Sequence, residues 1–139
     1  MKHSHKWIKS LTESLDSQCK PELRAKILES CGRNCIPRSF IKRAQILKKE
    51  SKDMNDFLEK LGKKWKHMQR DNDNVYIVYE KCYCPLVKDY PEKLSPTWCN
   101  CSRGWIKELF ESALERPVEV KLEKSIKQGD SLCKFELLL

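Results

Sequence analysis

The residues with the most chemistry in this chain are its eight cysteines: Cys19, Cys31, Cys35, Cys82, Cys84, Cys99, Cys101 and Cys133. Six of them fall into three close pairs, Cys31-x3-Cys35, Cys82-x-Cys84 and Cys99-x-Cys101. Random placement would rarely do this. On a strand, alternate side chains share a face, so Cys82-x-Cys84 reads as two thiols aimed at one cation. A disulfide ring that small would be strained. The second Cys-x-Cys is expected just ahead of a helix, where unpaired backbone N–H groups and the helix dipole favour thiolates. Cys133 is expected on a hairpin strand that could face either pair. Zn²⁺ takes four ligands and thiolates are its commonest structural choice, so four of Cys82, Cys84, Cys99, Cys101 and Cys133 would complete a site. The spacing differs from the Cys-x2-Cys of zinc ribbons. An iron–sulfur cluster would use the same ligands. The competing accounts are buried free thiols, which pack as small apolar groups, and redox or disulfide chemistry.

Cys31-Gly-Arg-Asn-Cys35 poses a separate question. The pair could complete the same site, bind ligand beside it, or mark a packed helix end capped by Gly32 or Asn34. Arg33, between the two thiols, would lower the pKa of a neighbour. That makes a reactive cysteine without an evident base. His67 is the only histidine beyond the N-terminal His3 and His5, and it reads as a surface residue of a helix. His3-x-His5 reads as part of a frayed terminus rather than a metal site. With only four glycines there is no phosphate-cradling loop, and no Ser-His-Asp pattern stands out, so no catalytic residue is assigned.

The elements that must position these thiols follow from periodicity. Pro21 suits the first position of a helix. Leu23, Ile27, Cys31 and Cys35 then recur every four residues, which places them on one face if the helix runs through Gly32. Gly32 and Pro37 predict an end nearby. A second helix is expected over 37–50, with Phe40, Ile41, Ala44 and Leu47 inward. A third has Met54, Phe57, Leu58, Leu61, Trp65 and Met68 at helical spacing, capped by Asp53 or Ser51. Asp71-Asn-Asp-Asn74 is a break. Beyond it, 75–84 reads as a long strand ended by Pro85, and Pro91 and Pro96 mark an irregular connection. A helix is expected over 104–114, with Ile106, Leu109, Phe110 and Ala113 inward. Val118, Val120, Leu122 and Ile126 then alternate, Gln128-Gly129-Asp130 turns, and Cys133, Phe135 and Leu137 alternate again, so these two strands are expected to form a hairpin. The order predicts one α+β domain over 1–139: N-terminal helices packed on a small antiparallel sheet, with a helix between the first strand and the C-terminal hairpin.

Composition bounds the rest. A chain of 139 residues, 40% hydrophobic and 35% charged, fits one globular domain with a real core. The longest apolar run, Leu137-Leu138-Leu139, is far short of the roughly 20 residues of a membrane span. The start lacks an apolar signal region, so the chain reads as cytoplasmic, where thiols stay reduced. Residues 1–70 carry 18 Lys+Arg against 8 Asp+Glu, a net +10; residues 71–139 carry 10 against 12, a net −2. The basic half would favour an anionic ligand or partner, or it reflects the solvated faces of Lys-rich helices. Nucleic-acid binding ranks last, because no recognition signature accompanies the charge.

Residues 75–139 resemble the 4-vinyl reductase-type small-molecule-binding domain. The likeness rests on Cys101-Ser-Arg-Gly104-Trp105, the helix that follows, Val118–Ile126, Gly129 and Cys133. It implies a helical layer on an antiparallel sheet, and a role as a sensor of aromatic or other small ligands or as an accessory of pigment synthesis. It also implies a structural zinc held by Cys101, Glu123, position 126 and Cys133. Ile126 occupies one of those positions, so Cys82, Cys84 or Cys99 would replace it. The first half is similar to small cysteine-rich bacterial proteins near the L-2-amino-thiazoline-4-carboxylate hydrolase family.

Three functions are carried forward. The first is a small-molecule-binding or sensor-like domain with a cysteine-ligated zinc and a pocket between helices and sheet, with Trp65, Tyr76, Trp98, Trp105 and Phe110 as candidate walls. The second is a thiol- or metal-dependent enzyme using Cys31, Cys35 or an open metal position. The third is nucleic-acid binding by the basic half.

Overall fold

The computed structural model describes residues 1–139. Five helices, α1 (His3–Gln18), α2 (Pro21–Cys35), α3 (Arg38–Lys49), α4 (Met54–Lys64) and α5 (Asn100–Leu114), accompany four strands, β1 (Met68–Asp71), β2 (Asn74–Tyr79), β3 (Glu119–Lys124) and β4 (Cys133–Leu138). The strands form one antiparallel sheet in the order β1-β2-β4-β3. The expected α+β class is therefore the observed one, with α5 falling between β2 and the β3–β4 hairpin. No helix is long and apolar enough to cross a membrane.

Period-two patterning sets the sheet's buried face. Val75 pairs with Leu137 and Ile77 with Phe135, while Val120 and Leu122 meet the same two β4 residues from the other side. These side chains close on Ile41, Ala44, Phe57, Leu61, Ile106, Leu109 and Phe110, the inward stripes of α3, α4 and α5, in a core of 19 buried residues. A second, smaller core joins Ile8, Leu15 and Leu28 of α1 and α2 to Val87, Tyr90, Leu94 and Trp98. Its far wall is the irregular segment 80–95, which contains neither helix nor strand.

Several boundaries depart from the sequence reading. The N-terminus is helical rather than frayed: His5 is only 4% exposed and meets the Tyr90 ring edge-on at 5.2 Å. Helix α4 stops at Lys64, with Trp65 as its C-cap, and Met68 belongs to a short strand that periodicity merged into the helix. Asp53 does cap α4, accepting from the Asp56 backbone N–H at 2.8 Å. The break at 71–74 is a tight hairpin turn joining β1 to β2, with Asn72 at a φ of 57°. Asn tolerates that left-handed conformation better than most residues. Ile126 lies in a short 3-10 turn, Ile126–Gln128, after β3 has ended.

Helices α2 and α5 cross unusually closely. A Cβ on Gly32 would collide with the carbonyl of Cys101, and one on Gly104 would collide with the backbone of Glu29. Glycine at both positions is what permits the approach. Gly32 is thus a contact inside α2, and neither it nor Asn34 caps the helix; Ile36 does. The crossing is tied by ion pairs. Glu29 accepts from Arg103 at 2.9 Å and from Lys107 at 3.1 Å, and Arg33 donates to Glu108 at 3.2 Å and Glu111 at 2.9 Å. Because α5 lies on the Gly32 side, the row Leu23, Ile27, Cys31, Cys35 is the open face of α2: Leu23 is 52% and Ile27 38% exposed.

Candidate functional site

A cavity of about 390 Å³ opens at the seam between the two cores. Six of the eight cysteines line it: Cys35, Cys82, Cys84, Cys99, Cys101 and Cys133. All eight cysteines are free thiols. The five cysteines expected to share a site are thus brought to one cavity, and Cys35 joins them. Cys31 lies one helical turn from Cys35 and is exposed.

The elements deliver these thiols differently from the sequence expectation. Strand β2 ends at Tyr79, so Cys82-x-Cys84 lies in the irregular segment beyond it and not on a strand. The chain leaves the sheet there because β2's pairing with β4 ends at Tyr79–Cys133. A turn follows, in which the Cys84 carbonyl accepts from the backbone N–H groups of Val87 at 3.1 Å and Lys88 at 2.8 Å. Helix α5 starts at Asn100, not at Gly104, with a 3-10 turn (Pro96–Cys99) leading into it. Cys99 is the N-cap residue of α5 and Cys101 sits in its first turn. Cys133 opens β4.

Two of the thiols already have polar partners. The Sγ of Cys99 lies 2.8 Å from the Oγ of Ser125, a fully buried serine. The Sγ of Cys133 accepts from the backbone N–H of Ile126 at 3.4 Å. Burial pushes the Cys99 thiol up to about 11, against the Ser125 hydrogen bond, with neighbouring thiols Cys133, Cys82 and Cys84 adding to the rise. Burial pushes Cys101 up to about 12, followed by the repulsion of Cys84, Cys35, Cys31 and Cys99. Cys133 is raised by burial as well. Desolvation therefore outweighs the helix-dipole effect expected at the second Cys-x-Cys. These groups are neutral thiols at pH 7 unless a cation is present to hold the sulfurs as thiolates.

Aromatic rings form the rest of the wall. Trp65 and Trp105 stand 5.9 Å apart between centroids, with Phe40 at 5.6 Å from the first and 5.4 Å from the second. His67 packs on Tyr79 at 4.7 Å and on Tyr83 at 5.0 Å. Trp98 and Phe135 complete the apolar lining. Polar groups are few: His67, Ser102, Ser125, Lys81 and Lys127, with no Asp or Glu. The Lys127 ammonium also donates to the carbonyls of Tyr90 at 3.3 Å and Lys88 at 3.5 Å, pinning the irregular segment. Burial, ahead of the nearby Lys66 charge, lowers the His67 pKa, and burial raises that of Tyr79. Both are neutral at pH 7.

Of the expected walls, Trp65, Trp98 and Trp105 line the cavity; Tyr76 and Phe110 do not. Tyr76 alternates to the opposite face of the sheet, under the Lys134 ammonium at 4.3 Å. Phe110 is sealed in the larger core. Glu123 is also outside the site. It falls at an irregularity in the β3–β4 register and pairs with Lys134 at 3.7 Å. The ligand set implied by the vinyl-reductase likeness therefore loses Glu123 as well as position 126. Arg33 is held by Glu108 and Glu111 of α5 and is not paired with the thiols beside it in sequence, since i+2 lies some 200° round a helix. His67 follows α4, half-buried in the cavity wall, and not on a helix surface. The cavity's lysines come from the half of the chain with net −2, so the basic half is not the source of its positive charge. Phe40, Tyr79 and Tyr83 were missed as walls. Tyr79 had a legible signal, because it shares the inward phase of Val75 and Ile77.

The donor set suits a thiophilic cation: clustered sulfurs, a backbone N–H aimed at one of them, and no competing carboxylate. No three His, Cys, Asp or Glu side chains are already arranged to hold a metal ion. The thiols ring the cavity and are not preassembled at a common centre.

The family of unknown function DUF6144 matches residues 1–139. The chain belongs to that family. The match spans both cores and every cysteine, so the cavity lies wholly within the family's extent. No curated protein matches the chain.

Proposed function

We propose that this DUF6144 protein is a cytoplasmic small-molecule-binding or sensor-like domain whose cavity also carries a cysteine-ligated metal, zinc before an iron–sulfur cluster. The observation that carries this reading is the composition of one cavity: six thiols, a nearly continuous aromatic wall, two lysines and no carboxylate. Its size, about 390 Å³, falls in the range of small-ligand sites. The rings would hold a flat apolar body. Lys81 and Lys127 would favour a negative charge on it. The metal would be held by four of Cys82, Cys84, Cys99, Cys101 and Cys133. When bound it supplies charge to keep these sulfurs deprotonated and a cross-link between β4, α5 and the segment after β2. An irregular stretch as long as 80–95 is uncommon in a compact domain unless it is functional or anchored, and such a cross-link would anchor it. The likeness to 4-vinyl reductase-type domains agrees with this reading in ligand class, though not in the proposed metal ligands.

The test is metal analysis of tag-free native protein together with thermal melts with and without chelator. At least one zinc per chain and a lowered Tm on chelation are expected. Metal-free protein of unchanged stability would remove the metal half of the proposal. Titration with 1-anilinonaphthalene-8-sulfonate, an anionic aromatic probe, tests the cavity. Saturable quenching of tryptophan fluorescence, weakened in Lys81→Ala/Lys127→Ala, is expected, and no saturable binding would count against the ligand half.

One observation favours a second reading, a thiol- or metal-dependent enzyme. His67, in the cavity wall, is a neutral base of the kind the sequence did not place near the thiols. If it activates a cysteine, one cavity thiol should alkylate faster than free cysteine at pH 7 and slow in His67→Gln. Uniformly slow labelling would dispose of this reading.

A further inference from the structure

The positive charge of residues 1–70 plays no part in the cavity, whose two lysines come from the other half. Five of its cations are on α3, which carries Arg38, Lys42, Arg43, Lys48 and Lys49 and no Asp or Glu. None of the five pairs with a carboxylate. Helix α4 differs: it neutralises Lys60 on Asp56 and Lys63 on Glu59, one turn away in each case. In α3, Arg38 and Lys42 stand at i, i+4, where like charges cost helix stability. Arg43 donates to the Ser39 carbonyl at 3.4 Å and lies over the Phe40 ring at 5.8 Å.

These cations border a second groove, of about 190 Å³, between α3 and α4. Its floor is apolar, with Ala44 and Leu47 from α3 and Leu61 from α4. Arg43 stands on one bank and Lys64 on the other. Ile46 belongs to the lining and is 54% exposed. On a helix the surface neighbours of a residue lie three and four positions away. For Ile46 these are Lys42, Arg43, Lys49 and Glu50, so an exposed aliphatic side chain is set among three cations and one anion.

We propose that the α3–α4 groove docks an acidic amphipathic helix of a partner protein. Aliphatic side chains of that helix seat against Ile46, Leu47 and Leu61, and its carboxylates meet Lys42, Arg43, Lys49 and Lys64. Charge complementarity selects the partner: a helix with no internal carboxylate and five uncompensated cations attracts a negative segment. The lining runs from Phe40 to Glu50 of α3, about 15 Å of helix at 1.5 Å per residue, which matches about three turns of a helix laid in a groove. Nucleic acid fits less well. Trp65, the largest ring at the groove, is only 8% exposed, so it offers no open face for base stacking. Glu50 also interrupts the cation row that a phosphate backbone would follow. Docking here does not depend on the cavity's thiols or on any metal they bind.

The experiment is fluorescence anisotropy of the full chain at low salt with a dye-labelled helical peptide of about 15 residues, Leu at i, i+3, i+4 and i+7 and Glu between. Its companions are the same peptide with every Leu replaced by Ser, and a labelled oligothymidylate. Saturable binding of the Leu peptide is expected, weakening as salt is added, and about tenfold weaker binding of the Ser peptide. Ile46→Ser should weaken the Leu peptide about tenfold, and so should Arg43→Glu/Lys64→Glu. Lys20→Glu/Lys26→Glu on α2 makes the same change in net charge and should leave binding as it was. All five substituted residues are exposed, unchanged far-UV circular dichroism checks that the variants fold, and the comparison of the two peptides needs no substitution in the protein. Equal binding of the Leu and Ser peptides, or an equal loss in the α2 variant, reduces the interaction to diffuse charge and overturns the proposal. It is overturned as well by a lack of saturable peptide binding, or by oligothymidylate binding more tightly than the Leu peptide.

Discussion

The two cores are built by different means. The larger one is closed by main chain. Helices α3, α4 and α5 cover a four-stranded sheet whose pairings run without interruption from β1 to β3, apart from one irregularity near Glu123. The smaller one is closed by side chains. Its far wall, 80–95, has few backbone hydrogen bonds of its own and is held by Lys127, by the seven buried residues around Leu94 and Trp98, and by ion pairs to α1 such as Lys9–Glu92. The cavity lies where these two modes of construction meet. The cavity therefore has one wall built on the sheet and another built on the irregular segment 80–95. On the proposed metal-binding reading, a cross-link at this seam would replace the missing ladder.

That contrast can be broken most severely from the larger side. Phe110 is fully buried beneath the sheet. Phe110→Ala should cost about 3–5 kcal/mol and lower both cores together, in a single denaturation transition followed by circular dichroism. Next comes the crossing that joins the two. Gly32→Ala would drive a methyl into the Cys101 carbonyl, and should cost about 3 kcal/mol by chemical denaturation. An unchanged midpoint would mean that the helices can separate freely.

Leu94→Ala, in the smaller core, should cost about 2–3 kcal/mol, but its signature is location. Hydrogen exchange should accelerate in 80–98 while β2 and β4 stay protected, as expected of a locally opening unit. Equal acceleration in both regions would show that the cores are one cooperative block. Asp16 gives a milder and pH-dependent handle. Burial would raise its pKa, but hydrogen bonds from Ser95 and Thr97 and the charge of Arg24 hold it below the ordinary carboxylate value of 3.8. A depressed pKa stabilises the fold above that ordinary value, and the contribution is lost as pH falls through the folded pKa. Asp16→Asn should therefore lower Tm at neutral pH and flatten its decline below pH 3.8. The smallest effect should come from Lys9→Ala: both partners of its 3.5 Å pair are about half exposed, and such pairs are worth under about 0.5 kcal/mol.

What could be read from the chain without its structure follows from local rules. The inward residues of α3 and α5, the Asp53 cap, the β3–β4 hairpin and the α+β class were legible because periodicity and capping depend on near neighbours. The gathering of Cys82, Cys84, Cys99, Cys101 and Cys133 was legible in outline from their pairing. Periodicity alone misjudged the ends of elements. Nothing in Val75–Cys84 signals that β2 loses its partner after Tyr79, because β4 begins at Cys133, more than fifty residues away in sequence.

The tertiary structure decided the faces and the neighbours. Arg33 looked like an activator of Cys31 and Cys35, but its guanidinium was claimed by two carboxylates of α5. His67 looked like a surface residue until the end of α4 at Lys64 moved it onto the cavity wall. Gly32 looked like a helix stop and proved to be the point where two backbones touch. Composition and spacing set which residues could bind a soft cation. Which of them share a wall depended on long-range contacts between α2, α5, β4 and the loop after β2, and no local pattern encodes those.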